Sequence, residues 1–469
     1  MAELPFRAKE SYIAVRVSAY SLATSSIAME AYKPLHHHTQ KPSSPSSTNP
    51  GYYNVPKSVC TWLACGFLAL ALLHLLCCSP LAGAGDREAL FSPLLHYFNN
   101  TYSHFSSGAG AGQSCDYSEG RWVPAPGHAR RYNATACPAK ESHDCIRNGR
   151  PDTGYLDWRW QPAAAGCRLP AFDAAAFLSA ARGKHVAFVG DSMARNQAQS
   201  LVCLLGAAFP RRVVHPDPDP WTRQCWRWEF PTHGVTVSVY WAPYLARFTG
   251  KAQNYSMPYT VVHLDALADR WAADADTMDV VVLAAGHWLL NGAVYRSGGE
   301  VVGVHNQPEL NYTDIGYAIP MREAYRKSVE RLMRRSSGRP RTVVLATYSP
   351  PHFEGKAMDD PTSCAKERPY MEGEKELWSI DKELRSIVIE EAEAAARKAG
   401  DGGAVRVEVL DVTKLAAMRP DGHPGPYMHR NPFANGVPER MPTDCLHFCL
   451  PGPVDTFNEI LLQILTKRR

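Results

Sequence analysis

Residues 59–78 (VCTWLACGFLALALLHLLCC) run without an Asp, Glu, Lys or Arg. A stretch of about 20 apolar residues is long enough to cross the roughly 30 Å hydrocarbon core of a bilayer as one helix. The run lies too deep in the chain for a cleaved signal peptide, and its flank Ser79-Pro80-Leu81-Ala82-Gly83-Ala84 is a weak cleavage cue, so it reads as a signal anchor. On its N-terminal side Arg7, Lys9, Arg16, Lys33, Lys41 and Lys57 outnumber Glu3, Glu10 and Glu30. The positive-inside rule keeps that side in the cytosol and sends residues 79–469 into the lumen. Four acceptable glycosylation sites, Asn99, Asn133, Asn254 and Asn311, all follow the span. Of the 13 cysteines, Cys60, Cys65, Cys77 and Cys78 lie in the run, and the other nine fall where an oxidising lumen pairs them.

The rest of the chain divides by composition. Residues 1–58 are rich in Ser, Pro, Thr and His without periodicity and read as a disordered cytosolic tail. His36-His37-His38 belongs to that solvated tail rather than to a metal site, and Met29 is an alternative start that would only shorten it. Residues 79–112 form a lumenal stem ending in a Gly/Ala/Ser-rich stretch. Residues 113–170 are dense in Cys, Trp, Gly and Pro, carry no clean helix or strand signal, and read as a disulfide-stapled N-terminal lobe. Residues 171–469 alternate apolar strands with helices, the pattern of a mostly parallel sheet covered on both faces. Strands are predicted at 185–189, 279–284, 342–346 and 405–410, and helices at 195–205, 325–335, 374–398 and 455–466. Residues 235–241 (VTVSVYW) alternate and fit an edge or antiparallel strand. Fifty Lys plus Arg against 46 Asp plus Glu leave a net charge of +4, too near balance for a nucleic-acid partner.

The first predicted strand runs straight into Gly190-Asp191-Ser192, after which Met193-Ala194-Arg195-Asn196-Gln197 opens a helix. Glycine allows a sharp turn at the carboxyl end of a parallel strand, where open α/β sheets place their ligands. Ser192 then lies near free helix N–H groups that favour a developing oxyanion. The same three residues are also ordinary N-cap chemistry, so a nucleophilic reading needs a base and an orienting carboxylate. Asp444-Cys445-Leu446-His447-Phe448-Cys449 offers both, since a three-residue spacing lets Asp444 hold one imidazole nitrogen while the other faces Ser192. Cys445 and Cys449 around His447 have the look of a zinc corner, but a lumenal setting makes them disulfide partners, and no metal is expected.

Gly190-Asp191-Ser192-x-x-Arg195-Asn196 with Asp444-x-x-His447 resembles the plant trichome-birefringence-like family, an SGNH/PC-esterase-related group of polysaccharide O-acetyltransferases. Cys115-Asp116-x5-Trp122-Val123, Cys145-Ile146-x2-Gly149-Arg150-Pro151-Asp152, Trp158-Arg159-Trp160 and Cys167-x-Leu169-Pro170 resemble its N-terminal signature. Gly286-His287-Trp288, Ser349-Pro350-x-His352-Phe353-Glu354, Leu410-Asp411-Val412-Thr413 and Met418-Arg419-Pro420-Asp421-Gly422-His423-Pro424 resemble its later blocks, so the likeness runs from about Cys115 to the C-terminus.

The resemblance implies an SGNH-like three-layer α/β sandwich in a type II Golgi membrane protein. It further implies an acetyl-Ser192 intermediate, a hemicellulose acceptor (xyloglucan ahead of xylan), and an acetyl donor that is acetyl-CoA or an acetylated intermediate, with no bound cofactor. Acetylester hydrolysis and non-catalytic binding of a wall polysaccharide are the competing functions. The Ser192 N–H is the natural first oxyanion donor, and the Gly286 N–H, Asn196 and Asn291 compete for the second place. Asp191 reads as a turn former, Arg195 as a donor-binding residue or a structural ion-pair partner, His287 as a site neighbour, and His423 as part of a rigid substrate loop. The implied bridges are Cys115–Cys167, Cys137–Cys203, Cys145–Cys449 and Cys364–Cys445, which leave Cys225 outside them. Trp158, Trp160, Trp226, Trp228 and Trp288 are open between core packing and sugar stacking, with Trp226-Arg227-Trp228 the best candidate for exposure.

Overall fold

The computed structural model describes residues 115–467 apart from 127–131, 134–136, 138–139, 217–224, 255, 335–337 and 401. The tail, the apolar run 59–78, the stem, His36-His37-His38 and Asn99 lie outside the described residues. Among the described residues no helix is long and apolar enough to cross a membrane.

In chain order the elements begin with strands β1 (Gly120–Pro124) and β2 (Trp158–Pro162), then helix α1 (Ala174–Ala180), β3 (His185–Gly190) and α2 (Ser192–Gly206). Strands β4 (Arg212–Pro216), β5 (Cys225–Phe230), β6 (Val235–Trp241), β7 (Ala246–Gly250) and β8 (Thr260–Leu267) follow. Next come α3 (Asp269–Asp274), β9 (Val280–Ala284), β10 (Ala293–Ser297), β11 (Glu300–His305), α4 (Ala318–Met333) and β12 (Arg341–Ala346). The chain closes with α5 (Ser379–Ala399), β13 (Val405–Leu410), α6 (Thr413–Ala417) and α7 (Asp455–Thr466).

A seven-stranded sheet of order β13-β12-β9-β3-β6-β5-β4 carries the site. Its first five strands are parallel, while β5 and β4 extend it antiparallel. The buried strands split their side chains by alternation, as a two-residue period requires. Val186, Phe188, Val280 and Val282 pack with α1, α2 and α7 on one face. Ala187, Val189, Val281 and Leu283 pack with α4 and α5 on the other. The arrangement is a three-layer α/β domain, and a smaller sheet of order β11-β10-β8-β7 sits on the α4/α5 side, with Val262 and Tyr295 in the same cluster.

Several elements differ from the sequence expectations. Strand β6 lies inside the sheet, parallel to β3 and antiparallel to β5, because Val235, Val237 and Val239 are buried on one face and Tyr240 on the other. Helix α5 begins at Ser379 rather than 374, since Glu374 turns back to accept from the Met371 N–H and to pair with Arg368. The 113–170 region contains the antiparallel pair β1/β2, whose Trp122 and Trp160 enter the same core as α2 and α7. The lobe is thus packed onto the sheet domain through a shared core.

The bridges present are Cys115–Cys167, Cys137–Cys203, Cys145–Cys449 and Cys364–Cys445, the four pairs implied by the resemblance. Two of them end in the 445–449 turn. Asn133, Asn254 and Asn311 are exposed.

Gly190 ends β3 where the Asp191 N–H reaches the Ala284 carbonyl of β9 at 3.0 Å. A Cβ at Gly190 would stand 1.8 Å from that oxygen, so no larger residue fits without parting the two central strands. Gly190→Ala is expected to cost about 3 kcal/mol or more, as forced overpacking does, read as a lower urea midpoint with an unchanged slope.

Candidate active site

Asp191 caps α2 by accepting from the Met193 N–H through Oδ1 (2.9 Å). Its Oδ2 accepts from the Gly286 and His287 N–H groups (3.1 and 3.3 Å) and lies 3.3 Å from His287 Nδ1. Burial would raise the Asp191 carboxyl, but the His287 hydrogen bond and charge outweigh it and hold the group below its ordinary value. His287 is anchored on its far side by Nε2 to the Ser349 carbonyl, 2.9 Å. Asp191 is therefore a turn former that also ties the β3–α2 turn to the β9 loop. The Gly286 N–H, expected among the oxyanion donors, is already engaged by this carboxylate.

Ser192 opens α2 and is 7% exposed, and among the described residues its side chain makes no hydrogen bond. Its N–H is one of the helix-start donors that no intrahelical acceptor satisfies. One turn on, Asn196 faces the same direction, and its carboxamide accepts from the Phe448 N–H (3.1 Å) and donates to the Phe448 carbonyl (3.0 Å). This two-way clasp brings the residue after His447 onto the Ser192 face of α2. Asn196 also lies 3.2 Å from His143 Nδ1, so its amide is spent on structure and is not the oxyanion donor considered above.

Asp444 and His447 form the dyad that the spacing predicted. Asp444 Oδ2 is 2.8 Å from His447 Nδ1, and its Oδ1 accepts from the Leu446 and His447 N–H groups at 3.1 and 2.9 Å. That fixes the Nδ1–H tautomer and leaves Nε2 buried without a partner, as a base awaiting a hydroxyl proton requires. Burial opposes charge on Asp444, yet the neighbouring His447 and the hydrogen bonds from it keep the carboxyl well below its usual range. Burial also lowers His447, Asp444 pulls it back up, and Lys140 and Arg195 push it down again, with a net fall. The resting imidazole is neutral.

Several neighbours escaped the sequence reading. The fully buried His143 ring stacks on His447 with centroids 4.8 Å apart, and Lys140 adds a charge that burial, chiefly, and Arg195 weaken, lowering it to about 8. The available signal was Cys145: its bridge to Cys449 brings residues 140–148 to the His447 turn. One potential ligand atom each of His143, Asp444 and His447 lie within 4.8 Å. Both Asp444 oxygens and His143 Nδ1 are already engaged in hydrogen bonds, which suits an oriented base.

Arg195 makes no hydrogen bond to a carboxylate among the described residues, although the Asp191 and Asp444 charges both act on it. Its guanidinium instead lies over Trp226 and Trp241, 5.6 and 5.4 Å from the ring centroids, and its Nε is buried without a partner. Trp226 is half-buried at this place, whereas Trp160, Trp228 and Trp288 are core residues at 3%, 3% and 2% exposure. Trp158 is partly buried and packs against the same core as α2 and α7. Asn291, the remaining candidate for an oxyanion donor, is buried with its Nδ2 unpartnered.

Behind the turn, Arg150 donates to the Asp421 and His423 carbonyls, both at 2.7 Å, and pairs with Asp152. Arg419, buried over the Trp122 ring, pairs with Asp421. His423 is itself buried rather than on a substrate loop, with Nδ1 2.7 Å from the His447 carbonyl.

The pattern of PC-Esterase, the GDSL/SGNH-like acyl-esterase family found in Pmr5 and Cas1p, matches residues 169–464, and the PMR5 N-terminal domain matches residues 113–167. The chain belongs to the PC-Esterase family. The Ser192 turn and the His447 turn both fall within the matched span. Among curated relatives, xyloglucan O-acetyltransferase 2 of Populus trichocarpa is 46% identical, over 76% of this chain and 82% of its own length. Xyloglucan O-acetyltransferase 1 of the same species is 44% identical over 80% and 87%. Xyloglucan O-acetyltransferase 1 of Arabidopsis thaliana is 41% identical over 88% and 98%.

The lowered His447 value has a direct kinetic consequence. The base stays neutral as the pH drops past the ordinary histidine value of about 6.5, so kcat/KM is expected to hold there and fall only at more acid pH. Asp444→Asn removes the largest influence that raises His447 and the anchor of its tautomer, with an expected loss of about 10⁴-fold in kcat, measured on protein whose melting curve shows it folded.

Proposed function

We propose that this chain is a polysaccharide O-acetyltransferase that places acetyl groups on xyloglucan through an acetyl-Ser192 intermediate. The observation that carries the chemistry is the Asp444–His447 dyad, with its Nε2 unpartnered, clasped by Asn196 to the helix that Ser192 opens. What supports the acceptor is the name shared by the three relatives above, each aligned over more than three quarters of this chain.

Ser192 Oγ attacks the acetyl carbonyl while its proton passes to His447 Nε2, which returns it to the departing donor group. His447 next takes the proton of a sugar hydroxyl as that oxygen attacks acetyl-Ser192, then gives it back to Ser192 Oγ. The imidazolium formed in each half is stabilised by Asp444. The oxyanion is met by the Ser192 N–H and the positive end of α2. The Arg195 guanidinium, held over two indole faces, adds positive charge beside it. The donor is acetyl-CoA or an acetylated intermediate. Water in place of the sugar would release acetate, so exclusion of water from acetyl-Ser192 separates a transferase from an esterase.

Ser192→Ala is expected to abolish acetyl transfer to xyloglucan oligosaccharides and the mass increment of one acetyl group on the Ser192 peptide. Transfer that survives the substitution overturns the mechanism, transfer to xylan oligosaccharides alone replaces the acceptor, and acetate release without transfer makes the protein an esterase.

The apolar run 59–78, the basic residues before it, the four bridges and the exposed Asn133, Asn254 and Asn311 support a type II protein of the Golgi membrane with its sheet domain in the lumen. In sealed Golgi vesicles, a C-terminal epitope is then expected to resist added protease until detergent opens the membrane, and the protein to shift in mass on deglycosylation.

A further inference from the structure

Three contacts of 2.7 Å run in series through two buried imidazoles behind the His447 turn. His352 Nε2 meets the Ala417 carbonyl, His352 Nδ1 meets His423 Nε2, and His423 Nδ1 meets the His447 carbonyl. A carbonyl oxygen only accepts, so each outer ring nitrogen must carry a proton. The inner contact joins the two remaining nitrogens and is a hydrogen bond only if a third proton lies between them. Two neutral imidazoles carry two protons. A neutral pair would set lone pair against lone pair at one of the three contacts, in a place where His352 and His423 are 1% and 2% exposed.

We propose that His352 and His423 hold three protons between them, sharing one positive charge, and that this charged pair is the positioning device for the His447 carbonyl and so for the catalytic ring. The inference rests on the reading of His447 as the base that serves Ser192.

The surroundings divide over that charge. Burial disfavours it most, and with each ring taken singly and every neighbour counted His423 is lowered to about 4 and His352 well below its ordinary value. Arg150 and His447 oppose it from the His423 side, and Lys375 and Lys366 from the His352 side. In its favour are the two carbonyl acceptors and the Asp444 carboxylate. Phe448 also stacks on the His423 ring at 4.8 Å and 13°, presenting a π face to the cation. The repulsion between the two rings applies only when both are charged, and with one proton shared it does not arise. All three bonds coexist in the charged pair alone, and among the described residues neither the Ala417 nor the His447 carbonyl has another donor. Those bonds decide in favour of the proton.

Loss of that proton at alkaline pH would break one link of the series and loosen its hold on the His447 carbonyl. The pair is then a second titrating element of the reaction, opposite in sense to His447 itself.

The test uses the full-length protein in detergent micelles, labelled with ¹⁵N-histidine. At neutral pH a far-downfield proton coupled to ring nitrogens of two histidines is expected, and its absence overturns the proposal. This arm needs neither a variant nor activity, so it stands apart from any failure of the acetyl-transfer reading. In the second arm, His352→Asn puts an amide nitrogen where Nδ1 was, able to donate to His423 Nε2 with no extra proton. The alkaline fall in kcat/KM of the native enzyme is expected to vanish in this variant, while the acid limb set by His447 stays. An alkaline limb unchanged in His352→Asn, on protein with a native melting curve, also overturns the proposal.

Discussion

The clasp between the Asn196 carboxamide and the Phe448 backbone joins two segments 252 residues apart, and the reaction centre depends on it. Ser192 opens α2, the helix that follows the central strand β3, whereas Asp444 and His447 belong to a turn with no regular structure of its own. A turn of that kind has little to hold it in register with a helix. Here the two-way hydrogen bond sets the register, and bridges from Cys445 to Cys364 and from Cys449 to Cys145 fasten the turn on both sides of His447. The N-terminal lobe works to the same end, with Arg150 gripping the Asp421 and His423 carbonyls beneath the turn and Trp122 backing Arg419, which pairs with Asp421. Its part in the site is mechanical support, together with the His143 ring laid on His447.

Charge around the dyad is arranged so that the base starts neutral and the carboxylate starts ionised. Burial, with Lys140 and Arg195 behind it, lowers His447, and the neighbouring imidazole with its hydrogen bond keeps Asp444 ionised in spite of burial. A base made too weak would take no proton from Ser192, and Asp444 limits the fall by stabilising the imidazolium that forms. Asp191 carries a separate negative charge, used up by the N–H groups of Met193, Gly286 and His287, so it does not compete for the His447 proton. Two carboxylates in one small site thus have distinct duties because their hydrogen-bond partners differ.

Much of this was legible in the chain. Buried parallel strands are continuous apolar runs, so β3, β9, β12 and β13 stand out within a residue or two of their observed limits. The Asp444 and His447 pairing is legible because three-residue spacing is local geometry, and α7 has the limits predicted for it. Strand β6 was legible as a strand but not as an interior one, since alternation reports the faces of a strand and not its neighbours. The pair β1/β2 was hidden because its partners lie far apart in sequence and each is only five residues long. The early start predicted for α5 failed because Glu374, a good helix former, found closer partners in Arg368 and the Met371 N–H.

The sequence by itself determined the α/β class, the Ser192 turn with its glycine, and the Asp444–His447 dyad, because each rests on contacts between residues a few positions apart. Only the tertiary structure decided which polar groups are spent and which are free. It engaged the Gly286 N–H with Asp191 and the Asn196 amide with Phe448, laid the Arg195 guanidinium over two indole rings, and laid His143, His352 and His423 against the turn that bears the base. Those assignments come from hydrogen bonds and ring contacts between segments tens to hundreds of residues apart, and their partners are chosen by the packing of the sheet and lobe together.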